Sequence, residues 1–465
     1  MPALHLGLAQ GDITPPIGVT MAGYAARDKV SESVETPLQA RALVAESQGR
    51  FVAVVSVDLI GLSPEIVAAV RAQVRDETPI PATSVLLLAS HTHWGPEVRP
   101  TGYLPRHLNE AISPEYVEGL QRTLAGLIVE AHGNLRPAAA GWGVGLAAGI
   151  SYSRRPVNVQ GSTVMSLELR PEQAAAASAT GLELCRAWPA GGHRGPRLSP
   201  PLEILQGLRA GVSDPHVPML KLTDPEGEAL CGFISFGCHP VVGGEDNLYA
   251  ISPDYPEYAR RVFQAAVGCP LAFSLGCAGD QVPAWRRGTS RQRVGQSLGA
   301  AAVMAWHQIQ DVATDVHVAT AHRQVALDVV DLPTVAEAER ALAATDDPEG
   351  PGGARERHLL GLARKFEDRP GIETEMNAFS VGDFAAVCLP GETFAEIGLQ
   401  IKQQSPFAAT AVITLCNDSI GYISTADGHR EGGYEPQWSA PGPGAERQVV
   451  DTALEMLAEL QGVDR

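Results

Sequence analysis

The organisation of this chain is clearest in residues 85–96, VLLLASHTHWGP. The apolar run 85–89 has the length and composition of a buried strand. His91 and His93 follow it at once, and a Gly-Pro pair then ends any regular structure. Because the two histidines are two positions apart, an extended backbone projects both rings from the same face. We therefore interpret this stretch as a buried strand that carries two imidazoles at its carboxyl end.

The same arrangement, an apolar run followed by a polar side chain near Gly or Pro, recurs along the chain. In open α/β sheets ligands bind outside the carboxyl ends of strands, so groups from distant positions can converge there. Asp280 follows Gly279 in a turn, where aspartate often accepts backbone hydrogen bonds, and we predict a structural role for it. The recurrences are residues 232–236 with His239, 271–275 with Asp280, 384–389 with Glu392, and 411–415 with Asn417 and Asp418.

Helical signals lie between several of these runs. Ser63 and Ser113 each precede a Pro-Glu pair, which is an N-cap, a proline at the first helical position and an acidic first turn. Residues 253–256 lead into a third helix. The alternation of runs and helices predicts an α/β fold with mixed β-sheets flanked by helices.

Domain boundaries are weak in this sequence. Residues 171–215 are Ala-rich and then Pro/Gly-rich, which indicates a surface insertion, and residues 333–370 read as two helices around an acidic Pro/Gly stretch. Candidate site residues fall on both sides of each excursion, and no internal sequence repeat is found. We therefore predict a single large domain over residues 1–465.

Composition excludes several classes of partner. The formal net charge is -18 and no run of Lys or Arg offsets it, so neither nucleic acid nor an anionic membrane is an expected partner. No apolar stretch approaches the roughly 18 residues of a membrane span, and the N-terminus has no signal-peptide pattern. The 7 cysteines are scattered and odd in number, which is untypical of a disulfide framework. A soluble protein in a reducing cytoplasm is expected.

The histidines and Glu392 are the candidate metal ligands. Zn²⁺ takes imidazole nitrogen and carboxylate oxygen, and a catalytic site keeps one position for water. A single His-x-His pair is also compatible with two ordinary surface histidines, and a loop glutamate is normally solvated. His239 favours the metal interpretation, because it too follows an apolar strand and precedes a proline. Glu392 follows a buried run and a Pro-Gly turn, which makes a surface role less expected.

At this point the sequence resembles the neutral, non-lysosomal ceramidases and their short bacterial relatives. The matching motifs occur in the family's order over nearly the whole chain, and that shared order carries the resemblance. They are residues 11–16 (GDITPP), 21–24 (MAGY), 56–59 (SVDL), 91–96 (HTHWGP), 237–240 (GCHP), 252–256 (SPDYP), 276–280 (GCAGD), 390–392 (PGE), 421–425 (GYIST) and 432–435 (GGYE).

The resemblance implies a zinc-dependent amidase domain with the family's site residues. By motif position, it assigns the zinc ligands to His91, His239, Glu392 and Tyr422. It places His93 and Arg154 beside the substrate and gives Tyr434 an oxyanion-stabilising role. Zinc would lower the pKa of its bound water and polarise the scissile carbonyl, while His93 would transfer the proton.

Three departures from the family bear on the substrate. The serine associated with activity in ceramidases is replaced, since residues 279–283 read GDQVP, and Trp94 stands where the family has a small serine. We also expect neither a secretion signal nor the C-terminal immunoglobulin-like domain of long ceramidases. These differences weaken ceramide itself as the expected substrate.

The leading hypothesis is therefore a zinc-dependent hydrolase that cleaves an amide or related acyl bond in a small soluble substrate by a metal-activated water. One alternative is a true ceramidase that hydrolyses N-acylsphingosine. A second alternative is a non-catalytic metal-binding protein on the same scaffold, which the missing serine motivates. No stable membrane insertion is expected, and the sequence is silent on oligomeric state.

Overall fold

The computed structural model describes residues 3–158, 160–163, 203–204, 208–209, 211–243, 247–286, 289–367 and 371–463. The predicted insertion at residues 171–215 lies largely outside these described residues.

The described part of the chain contains strands in several sheets. In chain order they are β1 His5–Asp12, β2 Ser33–Val34, β3 Gln39–Ser47, β4 Arg50–Val57, β5 Val85–Ala89, β6 Arg136–Pro137, β7 Ala139–Leu146, β8 Ser151–Ser153, β9 Glu203–Ile204, β10 Leu208–Arg209, β11 His216–Thr223, β12 Ala229–Phe236, β13 Ala250–Ile251, β14 Leu271–Leu275, β15 Gln281–Pro283, β16 Val318–Leu327, β17 Ile372–Val381, β18 Phe384–Cys388, β19 Glu392–Thr393, β20 Ala409–Ile413 and β21 Tyr422–Ile423.

The α-helices of the described residues lie mainly between and after these strands. They are α1 Pro64–Glu77, α2 Arg106–Glu110, α3 Pro114–Gly133, α4 Tyr255–Val267, α5 Ser290–Gln308, α6 Val335–Ala343, α7 Ala354–Phe366, α8 Ala395–Gln404, α9 Ala426–Glu431, α10 Tyr434–Gln437 and α11 Ala445–Val463. The predicted starts of α1 and α3 are confirmed: the Ser63 side chain accepts from the Ile66 N–H, and the Ser113 side chain accepts from the Tyr116 N–H.

The three large sheets share one topology. In each, three strands pair antiparallel in their order along the chain, and a helix then leads from the third of them to a fourth strand that lies parallel to it. The orders are β5-β4-β3-β1 (with β6 beside β1), β14-β12-β11-β7 and β20-β18-β17-β16. The connecting helices are α1, α4 and α8, as parallel neighbours require a long crossover. One structural unit thus occurs three times, although the sequence shows no repeat.

The sheets surround one shared core, and each is covered outside by its own pair of helices. The inner faces contribute apolar side chains that include Val54, Phe233 and Phe379. The outer faces pack against α1 and α3, α4 and α5, or α8 and α11. Along β4, Val54 faces the shared core while Val55 faces the helices. Burial on both faces explains why the strands are continuous apolar runs in the sequence.

The carboxyl ends of the parallel strand pairs meet in one region. Leu88 in β5 forms an antiparallel bridge with Cys416 just beyond β20, and Gly276 just beyond β14 bridges to Ile413 in β20. The Thr414 hydroxyl donates to the Gly276 carbonyl at 3.0 Å. The polar residues that follow these strands are therefore brought together, as the sequence predicts. The predicted fold class, mixed sheets flanked by helices, is confirmed.

A buried ion pair joins the first and second units. Arg260 on α4 donates through Nη1 to Oδ2 of Asp58 at 2.9 Å and through Nη2 to Oδ1 at 2.5 Å. The side chains are 3% and 0% exposed, so loss of one partner would leave the other charged and buried. Asp58 directly follows β4, so this pair fixes helix α4 of the second unit against a strand end of the first.

The second excursion, residues 333–370, contains α6 and α7 with a 3₁₀ turn, Pro351–Gly353, between them. Thr334 and Glu337 form a reciprocal capping box at the start of α6. No helix in the described ranges is long and apolar enough to cross a membrane. The assignment of residues 1–465 to a single domain stays a prediction.

The carboxylate of Glu375 on β17 collects five hydrogen bonds from neighbouring elements. Arg71 on α1 donates two of them, at 2.8 and 2.9 Å, and Asn417 donates one at 2.7 Å. His322 and Asn377 each contact it at 3.1 Å. Burial alone would raise the pKa of Glu375, but these donors and the Arg71 charge lower it from 4.5 to about 2.

We predict that Glu375→Gln lowers the free energy of unfolding at pH 7 by about 1–3 kcal/mol. Because the folded pKa lies below the ordinary value, the carboxylate stabilises the fold above pH 4.5, and this contribution is lost as the pH falls toward 2. Urea unfolding of both proteins between pH 7 and pH 3 measures the difference. A difference that stays constant over this range would contradict the prediction.

Candidate metal centre

His91 lies immediately after β5 in an unusual backbone conformation. Its φ is 65°, a left-handed value that is uncommon outside glycine and costs energy. The backbone N–H donates to the Leu59 carbonyl at 2.8 Å. The side chain is buried, and its Nδ1 lies 2.7 Å from the Ile60 carbonyl oxygen. Because a carbonyl can only accept, Nδ1 carries the proton and Nε2 presents a lone pair.

His239, after β12, has the same orientation. Its Nδ1 lies 2.5 Å from the Ala278 carbonyl and 3.0 Å from that of Gln281. The side chain is 1% exposed. Its Nε2 therefore also carries a lone pair. Metal-ligating histidines commonly have the second ring nitrogen fixed by a carbonyl or carboxylate in this way.

Glu392 brings a carboxylate to the same point. Its Oε2 lies 3.0 Å from Nε2 of His239 and 3.2 Å from Nε2 of His91. Two imidazole lone pairs and a carboxylate at these separations repel one another unless a cation lies between them. Nitrogen and oxygen donors of these types suit Zn²⁺. The donor set therefore fits a bound metal ion.

Tyr422 is positioned by strand pairing. Strands β19 and β21 run parallel, and Glu392 lies directly opposite Tyr422. Neighbouring side chains at such a position lie on the same face of the sheet. The Tyr422 hydroxyl accepts a hydrogen bond from Nη2 of Arg154 at 3.2 Å. The structure thus brings Tyr422 to the side of the ligand candidate Glu392.

His93 adjoins the other two histidines but is held differently. Its Nε2 lies 3.3 Å from Nε2 of His91, and the ligand atoms of His91, His93 and His239 all lie within 4.8 Å of one another. Among the described residues, none hydrogen-bonds to the buried Nδ1 of His93. The ring instead packs edge-on against Tyr24, with centroids 5.2 Å apart.

Gly23 is required for this position of His93. Its φ is +95°, and a Cβ there would lie 2.4 Å from Nδ1 of His93. Any larger residue would push the ring away or strain the backbone. The MAGY motif at residues 21–24 therefore serves the site through Gly23 and Tyr24, a role that its sequence pattern alone does not reveal.

Arg154 connects Tyr422 to a buried ion-pair network. Its Nε donates to Glu435 at 2.7 Å and its Nη2 to the Gly279 carbonyl at 2.9 Å. Arg155 also donates to the Glu435 carboxylate. The guanidinium of Arg154 lies 5.6 Å from the ring centroids of both Tyr422 and Tyr434. One carboxylate thus faces two arginines, which leaves a positive charge beside the two phenols.

Burial and neighbouring charges shift the pKa values of these groups. Burial lowers the pKa of His239 to about 4 and, with the other histidines, that of His93 well below 6.5. Burial alone would raise the pKa of Glu392, but His91 and His239 lower it well below 4.5. Burial and the Glu392 charge raise the pKa of Tyr422, against the effect of Arg154.

An aromatic series extends from Tyr422 toward solvent. The ring centroids of Tyr422 and Tyr434 are 5.9 Å apart, those of Tyr434 and Trp438 are 5.6 Å apart, and those of Trp438 and His358 are 5.4 Å apart. Tyr434 is 37% exposed. His358 lies on α7, so the 333–370 excursion reaches this side of the site. Sequence reasoning missed Trp438 and His358, because neither stands in a recognisable motif.

The seven predicted site residues form two adjoining groups. His91, His93, His239 and Glu392 surround one point, and Arg154, Tyr422 and Tyr434 form a second group that meets the first at Glu392. Asp280 accepts hydrogen bonds from the Ala395 N–H at 2.9 Å and the Ser153 hydroxyl at 3.1 Å. Arg155 and Glu435 were not predicted, although each adjoins a predicted residue in the sequence.

Residues 4–158 match the protein family described as neutral/alkaline non-lysosomal ceramidase, N-terminal. The fold is similar to that of neutral ceramidase from Pseudomonas aeruginosa, with a TM-score of 0.73 and 18% identity over 100% of this chain and 75% of that chain. It is also similar to a ceramidase complexed with C2, with a TM-score of 0.71 and 16% identity over 100% of this chain and 76% of that chain. No curated protein is detectably similar in sequence.

The fold is shared with neutral ceramidase, and His91, His93 and His239 form a group that could bind a metal ion. The match over residues 4–158 and the shared fold confirm the resemblance to the neutral/alkaline non-lysosomal ceramidases that the motifs indicate. His91, His93 and Arg154 fall within the matched residues. The remaining candidates, His239, Glu392, Tyr422 and Tyr434, lie beyond them.

We predict that Glu435→Gln lowers the free energy of unfolding by about 3–5 kcal/mol, since it leaves two buried arginines without a counter-charge. The matched control is Asp427→Asn, which removes the partner of Arg430 in an ion pair whose side chains are 69% and 75% exposed. This change should cost about 0–1 kcal/mol. Urea unfolding at pH 7 measures both losses. Equal losses would contradict the prediction that the buried ion pairs stabilise the fold more than the exposed one.

Proposed function

We propose that this protein is a zinc-dependent hydrolase that cleaves an amide or related acyl bond in a small soluble substrate. The observation that carries the proposal is the convergence of His91 Nε2, His239 Nε2 and Glu392 Oε2, with separations of 3.0 and 3.2 Å to the carboxylate oxygen. The family match supports hydrolysis of amide bonds as the reaction class.

We assign the metal ligands to His91, His239, Glu392 and Tyr422. The alternative set of three histidines is geometrically possible. It is disfavoured because Nδ1 of His93 has no orienting partner among the described residues, whereas Nδ1 of His91 and of His239 each meets a carbonyl. An oriented second nitrogen is typical of ligands.

When bound, zinc would lower the pKa of a coordinated water and polarise the scissile carbonyl. His93, whose Nε2 faces the ligand group, is placed to take a proton from the attacking water and return it to the leaving nitrogen. Its burial lowers the pKa and keeps the ring neutral, which is the form that a general base needs.

Tyr434 and Arg154 would stabilise the negative charge that develops on the carbonyl oxygen. Tyr434 offers a hydroxyl donor beside Tyr422, and the Arg154 guanidinium lies 5.6 Å from the centroid of each ring. Glu435 holds Arg154 in place and so limits the reorganisation needed as charge builds up. The half-exposed rings of Tyr434 and Trp438 offer an apolar surface for a substituent of the substrate.

The departures from ceramidases affect the core more than the ligand group. Val282, at the family's serine position, packs with Tyr152, Val241 and Ala284, so no hydroxyl nucleophile acts from there. Trp94 is 2% exposed, and the guanidinium groups of Arg27 and Arg291 lie 5.3 and 4.5 Å from its ring centroid. The larger side chain therefore fills the interior.

We predict about one zinc per chain in the purified wild type, with loss of both zinc and activity in His239→Ala. His93→Gln should retain zinc and lose activity by about 10²–10⁴-fold, as expected for a general base. Metal analysis beside a hydrolysis assay separates the two roles. A metal-free wild type would sink the proposal, and loss of zinc in His93→Gln would instead favour the three-histidine set.

Substrate class is tested with a panel of N-acyl amides, lactams and esters, run beside a fluorescent short-chain ceramide. We predict turnover of at least one small soluble amide by the zinc-loaded protein, at a higher kcat/KM than that of the ceramide. The family match and the ceramidase complexed with C2 favour the ceramide alternative, which faster ceramide hydrolysis would establish. Bound zinc without turnover of any acyl substrate would favour a non-catalytic metal-binding protein.

A further inference from the structure

The segment 252–255, which runs from the end of β13 to the first residue of α4, contacts the loop that carries His91 and His93. The Thr92 hydroxyl donates to the Ser252 carbonyl at 2.8 Å. The Ser252 N–H donates to the Trp94 carbonyl at 2.9 Å. These two bonds lie on either side of His93, so the segment fixes the backbone from which that ring projects.

The same segment contacts the loop that carries His239. The Tyr255 hydroxyl donates to the Cys238 carbonyl at 2.5 Å. The Val242 N–H donates to Oδ2 of Asp254 at 2.7 Å. These bonds also lie on either side of the histidine. Segment 252–255 therefore holds both histidine loops at once.

Asp254 is where the two loops are joined through one atom. Its Oδ2 accepts from the Val242 N–H and also from Nε1 of Trp94, at 3.2 Å. Trp94 follows His93 directly, and Val242 lies three residues after His239. A single carboxylate oxygen thus sets the distance between the two loops. Their backbones also meet directly, since the His93 N–H donates to the Pro240 carbonyl at 3.2 Å.

The backbone of Asp254 is strained. Its φ of 65° and ψ of -155° lie in a region that is essentially restricted to glycine and costs about 1–3 kcal/mol for other residues. An ordinary N-cap residue has extended φ and ψ. A glycine would relieve the strain and still begin the helix. The side chain is therefore the reason for aspartate at this position.

Each described group that hydrogen-bonds to the Asp254 carboxylate is a donor. Oδ1 accepts from the Tyr255 N–H at 2.6 Å and lies 3.5 Å from Nε of Arg291. Arg291 lies over the Trp94 ring, 4.5 Å from its centroid, and also donates to the Val242 carbonyl. Burial raises the pKa of Asp254 to about 6 against the effect of Arg291 and the N–H donors. A carboxylate that is fully buried on a strained backbone lowers the stability of the fold unless its hydrogen bonds offset the cost.

We propose that Asp254 is a positioning residue that sets the separation of the His91–His93 loop from the His239 loop, and thereby the geometry in which their imidazoles meet a metal ion. Holding the loops together is a property of the chain alone. The effect on zinc affinity rests on the proposed function.

Asp254→Asn is the sharpest test, because asparagine has the same shape as aspartate and adds no backbone strain beyond that already present. It offers one acceptor oxygen and one NH₂ group. The Val242 and Trp94 groups on one oxygen and the Tyr255 N–H on the other are all donors, so the NH₂ must face one of these two sides. Either the hydrogen bonds from Val242 and Trp94 or the one from Tyr255 is therefore lost, whichever way the amide turns. The matched control is Ser113→Ala, which removes the N-cap of α3, where the Ser113 side chain accepts from the Tyr116 N–H.

Two readouts separate positioning from general stability. In metal-free protein, hydrogen exchange of the amides in residues 91–94 and 238–242 should become at least 10-fold faster in Asp254→Asn and stay unchanged in Ser113→Ala. In chelator competition, zinc affinity should fall about 10–100-fold in Asp254→Asn alone. The absorption spectrum of the Co²⁺-substituted Asp254→Asn protein should also differ from that of the Co²⁺-substituted wild type.

Wild-type exchange in both loops of a folded Asp254→Asn protein would overturn the inference. If that variant does not fold, Trp94→Phe and Tyr255→Phe each remove one hydrogen bond and should each accelerate exchange in the loop concerned. Unchanged exchange in both would also overturn it. If the wild type binds no zinc, the proposed function fails while the exchange result still decides the role of Asp254.

Discussion

The whole site depends on the way that neighbouring parallel strands end. His91 follows β5, and its Nδ1 donates to a carbonyl in the loop after the adjacent strand β4. His239 follows β12, and its Nδ1 donates to a carbonyl in the loop after the adjacent strand β14. Each imidazole is thus fixed by the loop of its partner strand, which leaves Nε2 free to point away from the backbone. Two units built by the same topology therefore present two equivalent donors to one point.

The third unit completes this arrangement with oxygen donors. Glu392 follows β18 and Tyr422 follows β20, and the short pair β19–β21 aligns them. Helices cover the outer faces and the shared core lies inside, so all three units turn the same end toward the site. The chain is acidic overall, with a net charge of -18, yet Arg154 and Arg155 face a single buried glutamate beside the phenols. The local charge beside the site is opposite in sign to that of the whole molecule.

Strain and burial are concentrated where the histidine loops are held. His91 and Asp254 both have positive φ, and Gly23 leaves no room for a side chain beside His93. Such conformations persist only where surrounding contacts fix them. Here those contacts are hydrogen bonds to carbonyl oxygens, which hold the histidine rings, and to the Asp254 carboxylate, which holds both histidine loops. The stability of the fold and the geometry of the site therefore draw on the same hydrogen bonds.

The sequence by itself determined the buried strands that precede the site residues, the starts of α1 and α3, and the identity of the strand-end residues, because these follow from apolar runs, caps and local spacing. It indicated His91, His239 and Glu392 as one group, since the carboxyl ends of strands tend to converge. Tertiary structure alone decided the threefold repetition of one topology, which leaves no repeat in the residues because many apolar sequences fill the same core. It alone also decided the roles of Glu435 and Asp254. Their function arises from contacts with residues about 12 to 281 positions away, and such contacts leave no local pattern in a sequence.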